Sequence, residues 1–90
     1  MHIRLATGTT LTNVEGKDVL FSVKSGDSYG LNETAARMLR LGLEADLDQV
    51  VNQLATEYGV EPEEIRNDFE EVVAELVQLK FVQLASAQGG

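Results

Sequence analysis

The side chains able to do acid–base or covalent chemistry are few in this chain and poorly spaced to cooperate. His2 is the only histidine. It lies at an end expected to be mobile, which argues against a histidine general base or metal ligand. Ser22, Ser25, Ser28 and Ser86 have no evident base partner. There is no cysteine, so thiol nucleophiles, thiolate metal sites and disulfides are excluded. Carboxylates gather at Glu61, Glu63, Glu64, Asp68, Glu70, Glu71 and Glu75, and most fall on the polar side of one helical segment, as a solvated face would. No glycine-rich phosphate loop of the required spacing occurs. The chain is therefore expected to have no catalytic residues, no metal and no cofactor.

Two carrier chemistries have weak signals. Asp27-Ser28 is similar to the phosphopantetheine site of acyl carrier proteins, but there the serine should open a helix with an apolar residue following. Here Tyr29-Gly30 follow in a strand-like stretch. Gly89-Gly90 is similar to the end of ubiquitin-like sulfur carriers, whose folds need strands late in the chain, where this one has its longest helical pattern. An acyl or sulfur carrier is thus the last alternative, and residues 85–90 are expected to be a flexible tail.

Ninety residues suffice for one domain, expected to span 1–90 with its core over about 10–84. A hydrophobic content of 43% with one proline is that of a globular chain. No apolar run approaches the roughly 18 residues of a membrane span, and Met1-His2-Ile3-Arg4 does not open a signal peptide, so the expected compartment is the cytoplasm. Seven Lys and Arg against fifteen Asp and Glu leave a net charge of −8, which repels nucleic-acid phosphates.

The pattern changes character near Asn32. Before it, Thr10–Val14, Val19–Val23 and Ser28–Leu31 alternate as strands, joined by turns at Glu15-Gly16-Lys17-Asp18 and Ser25-Gly26-Asp27. Together they form an antiparallel meander. Asn32 is an N-cap for a helix carrying Ala35, Met38, Leu39 and Leu43, with Gly42 as its stop. Asp46 and Gln49 have capping-box spacing for a second helix lined by Leu47, Val50, Val51, Leu54 and Tyr58 and ended by Gly59. Pro62 opens a third helix running to about Leu79, and Phe81–Leu84 suit a last strand. The fold class is α+β: a three-stranded antiparallel meander followed by three helices.

Two features of this scheme could bind something. The apolar residues of the third helix cover an arc of roughly 160°, wider than the ~100° of a narrow core-facing stripe. Either the helix is sandwiched on both sides, or one shoulder (Val73 and Val77, or Val72 and Leu79) lines an external groove. The strand Ser28–Leu31 has an open edge unless the terminal strand covers it. It carries neither proline nor lysine to blunt that edge, and Gly30 leaves room for a close backbone approach. An open edge beside an apolar helix suits capture of a peptide as an added strand. The edge could equally pair with itself, giving a weak homodimer in place of a monomer.

The run Gly26-Asp27-Ser28-Tyr29-Gly30-Leu31-Asn32-Glu33-Thr34-Ala35-Ala36 carries a resemblance. It continues through Leu54 to Tyr58-Gly59-Val60, Ile65 with Asp68, and Leu76 to Phe81-Val82. In this order and spacing, over about residues 10–84, the chain resembles the PqqD-like family. The resemblance implies a winged helix-turn-helix-like fold that recognises ribosomally made, post-translationally modified peptides (RiPPs). Such domains bind the leader of a precursor peptide as a strand added to the third strand, in a groove shared with the third helix. They then present it to a leader peptidase or other modifying enzyme. Carried onto this chain, the strand is Ser28, Tyr29, Gly30 and Leu31 and the helix wall is Phe69, Val72, Val73 and Leu76, with Asp68 at a common acidic position. The aromatic and basic residues expected before the hairpin and a Leu-Tyr-Pro-Glu-Gly turn are absent. The Tyr58-Gly59-Val60 helix break is more similar to stand-alone members from lasso-peptide clusters, which makes a lasso leader-binding protein the first expectation. A chaperone for a radical-SAM peptide-modifying enzyme is the alternative.

Overall fold

The computed structural model describes residues 2–85, so Met1 and residues 86–90 of the expected tail lie outside the described residues, while Ala85, expected in that tail, pairs with His2 in a strand. The element order is β1 (His2–Leu5), β2 (Thr9–Val14), β3 (Lys17–Ser22), β4 (Ser28–Gly30), α1 (Glu33–Glu44), α2 (Leu47–Tyr58), α3 (Pro62–Gln78) and β5 (Val82–Ala85). The meander is present as an antiparallel sheet in the order β2-β3-β4, and the three helices follow it. The α+β expectation holds.

The β2–β3 hairpin turns on two residues, Glu15 (φ 52°) and Gly16 (φ 86°), rather than four. Positive φ at both central positions twists the connection in the same hand as the strands, so Lys17 and Asp18 are free to join β3. The ladder pairs Leu11 with Leu20 and Leu20 with Tyr29. Those side chains share one face because alternate residues of a strand point the same way. Leu20 on that face is fully buried, while Phe21 on the opposite face is 39% exposed.

The helices begin where the caps place them. Asn32 Oδ1 accepts the Ala35 amide at 2.7 Å. Asp46 Oδ1 accepts the amide of Asp48 at 2.9 Å, so the cap forms one residue short of the expected Gln49 spacing. Gly59, at φ 68°, closes α2 in the left-handed region. Pro62 occupies the first turn of α3, ahead of Glu63 and Glu64 at its positive dipole end.

Three expectations are corrected at the other end of the molecule. His2 is not on a mobile end: it opens β1, which pairs antiparallel with β5 from His2↔Ala85 to Leu5↔Val82. The strand expected at Phe81–Leu84 therefore closes onto β1 instead of covering β4. Gly42 does not stop α1 but sits inside it, buried, because a Cβ there would lie 2.8 Å from both Ile3 Cδ1 and Phe69 Cζ. The missing side chain is what lets β1 and α3 meet over α1.

A single apolar cluster joins all these elements, with Phe69, Leu20, Val51 and Leu54 fully buried at its centre. Ion pairs at its rim tie the layers together: Arg40 of α1 to Asp18 of β3, Arg37 of α1 to Glu57 of α2, and Arg66 of α3 to Asp48 of α2. Among the described residues no helix is long and apolar enough to cross a membrane.

Candidate functional site

The strand Ser28–Gly30 is the site's first wall, and its hydrogen-bond alternation decides which groups are free. Leu31 N–H donates to Asp18 C=O, and Ser22 N–H donates to Asp27 C=O, both at 2.9 Å. In an antiparallel ladder this makes Tyr29 and Leu20 the pair that exchanges both bonds. The backbone groups of Asp27, Tyr29 and Leu31 thus face β3. Those of Ser28 and Gly30 point away from the sheet, and β4 is its last strand. Two N–H and two C=O groups are left for another chain.

Helix α3 is the second wall. Tyr29 is half-buried on the core face of β4, with the Glu75 carboxylate of α3 close enough to influence its hydroxyl. Its ring lies 6.0 Å from that of Phe81, tilted by 54°. Burial, and then the Glu75 charge, push the Tyr29 phenol above its ordinary pKa.

Space opens at both ends of β4. At one end a groove of about 350 Å³ is walled by Asn32 and Thr34 on one side and by Asp68, Glu71, Val72 and Glu75 on the other. At the opposite end a hollow of about 600 Å³ lies between Ser25 and Asp27 and the C-terminal part of α3, Val77 and Leu79. The chain passes from Asp27 to Asn32 as the facing helix passes back from Leu79 to Asp68, so the two walls run antiparallel. Five strand steps at about 3.3 Å separate the two hollows by on the order of 16 Å, the length of about five residues of an extended peptide.

The nine residues expected from the sequence divide sharply. Ser28 and Gly30 offer their backbone at the edge, Tyr29 is half-buried against Phe81, and Asp68 and Val72 line the open groove. Leu31, Phe69, Val73 and Leu76 are 2%, 0%, 7% and 1% exposed and belong to the core, which they share with Ile65 and Met38. Their part is to hold the walls in place. The shoulder that reaches the outside is Val72 and Leu79, with Val77 also at the far hollow. Sequence reasoning missed Glu71 and Glu75 by treating the acidic residues as solvated surface. The signal was available: Asp68, Val72, Glu75 and Leu79 follow three- and four-residue steps and so form one stripe. Among the described residues no three His, Asp or Glu side chains come together as a metal site.

Solved structures with this architecture include a lasso peptide synthetase B1 complexed with the leader peptide. It is 25% identical, with a TM-score of 0.86 over 93% of this chain and 100% of that one. TbiB1 in complex with the TbiA(beta) leader peptide shares the fold at 17% identity, with a TM-score of 0.82 over 92% of this chain and 98% of that one. The PqqD portion of Methylobacterium extorquens PqqCD, a stand-alone RiPP recognition element, is 25% identical, with a TM-score of 0.73 over 91% of this chain and 88% of that one. No curated protein matches the chain. The model of the family described as Coenzyme PQQ synthesis protein D (PqqD) matches residues 18–82, which hold every element of the site, and the chain belongs to that family.

Proposed function

We propose that this chain binds the leader segment of a ribosomally synthesised precursor peptide as a fourth strand on the β2-β3-β4 sheet. In this reading it delivers the leader to a leader peptidase or other modifying enzyme in lasso-peptide biosynthesis. One observation carries it: β4 is the last strand of its sheet, and among the described residues the Ser28 and Gly30 backbone groups on its outer edge have no partner. An added strand makes main-chain bonds there, and the groove and hollow at its ends take alternate side chains. The role is one of binding and not of catalysis, in the cytoplasm, where ribosomal precursors are made. Support comes from the leader-bound lasso peptide synthetase B1, which matches this chain along its whole length. The similarity to a PqqD recognition element favours the related reading of a chaperone for a radical-SAM enzyme.

Amide hydrogen exchange tests the mode of binding. A leader peptide added in excess should slow exchange at Ser28 and Gly30 far more than at Tyr29, whose amide already bonds Leu20. Equal protection across β2, with none at Ser28 and Gly30, would count against strand addition.

A further inference from the structure

Resting on the strand-addition reading, we infer that Lys17 selects a carboxylate side chain at the one peptide position that pairs with Gly30. Gly30 lies opposite Val19, on the face of the sheet away from the core. Lys17, two residues before Val19, is on the same face. A Cβ placed on Gly30 would stand 3.2 Å from Lys17 Cε and 3.6 Å from its Nζ. The lysine stem therefore lies across the glycine, and its ammonium hangs over the strand that has the open edge. Any side chain at residue 30 would occupy the space this arrangement uses.

The cleft around Lys17 also contains Arg37, Arg40, Asp18 and Glu33. Arg40 is held by Asp18 at 2.6 Å and Arg37 by Glu57 at 2.7 Å. Lys17 is left as the cation of this cleft without an ion pair among the described residues. In an added strand, the residue opposite Gly30 projects to the same face, with its Cβ about 5 Å from the Gly30 Cβ position. An aspartate or glutamate there brings its carboxylate to the Lys17 ammonium. Residues one step to either side point the other way, toward Asp68, Glu71 and Glu75, where a carboxylate is repelled. An acidic residue is thus accepted at one position and refused at its neighbours. A one-residue slip exchanges the two faces, so this contrast fixes the register of the peptide.

The probe is a library of random 12-residue peptides displayed on phage and selected against the immobilised full chain, its Lys17→Glu variant and its Gly30→Pro variant. The parent should enrich peptides with Asp or Glu at one fixed position of a shared pattern. Lys17→Glu should enrich Lys or Arg at that position while the apolar positions stay the same. Reversing the charge in one selected peptide should weaken binding to the parent by about two- to fivefold, as expected for an exposed ion pair, and strengthen binding to the variant. If parent binders lack an acidic position, or the variant keeps the parent's preference, the role of Lys17 is overturned. Strand addition still stands in that case, provided that Gly30→Pro loses the binders. Binders with undiminished affinity for Gly30→Pro, or a parent that enriches none, overturn both.

Discussion

Replacing Gly30 by proline separates the edge of β4 from its ladder. The Gly30 amide points away from β3, so removing it breaks no bond within the sheet. Gly30 does not use a positive φ, and Tyr29 before it is already extended, as a residue preceding proline prefers. The ring displaces only the end of the Lys17 side chain. Stiffening the unfolded chain offsets part of any residual strain, so folding stability should move by no more than about 1 kcal/mol. The bound state loses more. One peptide carbonyl is left without its donor within the added ladder, at a cost of about 1–3 kcal/mol. That is roughly a 5- to 150-fold increase in Kd. Ser28→Pro removes the other outward donor and should behave in the same way. Ser28→Ala keeps the backbone and should bind within about twofold of the parent. Fluorescence anisotropy with a labelled leader peptide, beside circular-dichroism melts of each variant, reads both quantities. Full affinity in both folded proline variants would refute the assignment of the edge.

The helix wall is tested by a pair of aspartates. Val72→Asp adds a fourth carboxylate to a groove already bearing Asp68, Glu71 and Glu75 and should weaken peptide binding at least about tenfold with the fold intact. Val73→Asp one residue on would bury an unpaired charge in the core, so its thermal melt should show an unfolded or severely weakened protein. The Asp18–Arg40 bridge predicts a pH dependence. The Arg40 guanidinium, helped by the Asn13 amide, lowers the Asp18 carboxyl from 3.8 to about 2. A group lowered in the folded state contributes stability above its unfolded pKa, and that contribution fades as pH falls from 3.8 toward 2. Denaturant unfolding across this window should show Asp18→Asn with a shallower acid loss than the parent.

The sequence made the meander, the helix starts and the edge strand legible because each is a local matter. Glu15-Gly16 is a turn, Asn32 and Asp46 are caps, and Pro62 is a helix opener whatever lies elsewhere in the chain. What could not be read were the contacts between distant segments. Gly42 carries the same local signal as a helix stop, and only the arrival of Ile3 and Phe69 from two other elements makes it an interior contact. His2–Leu5 is too short to declare itself as a strand until Val82–Ala85 lies beside it. The site divided along the same line. Ser28–Gly30 read as an edge strand from their own pattern, but which side of α3 is turned outward depends on how the helix is rotated over the core. That rotation sends Phe69, Val73 and Leu76 inward and turns Asp68, Val72 and Glu75 toward the groove.

The β1–β5 ladder joins residues far apart in the chain, from the His2–Ala85 pair to the Arg4–Gln83 side-chain bond between positions 79 apart. Closing so long a loop costs more chain entropy than closing the two-residue hairpin or the short links between helices, and little is recovered until both ends are home. The hairpin and the helices can therefore assemble first, with this ladder zipping last and opening first. Opening that ladder would release β1 and uncover the seat of Ile3 against Gly42 and Phe69, and it would also disturb the far hollow, which Val82, Gln83 and Leu84 help to line. The edge proposed for peptide capture lies in the β2-β3-β4 sheet, which pairs strands adjacent in the chain, whereas the ladder that closes the chain pairs its two far ends.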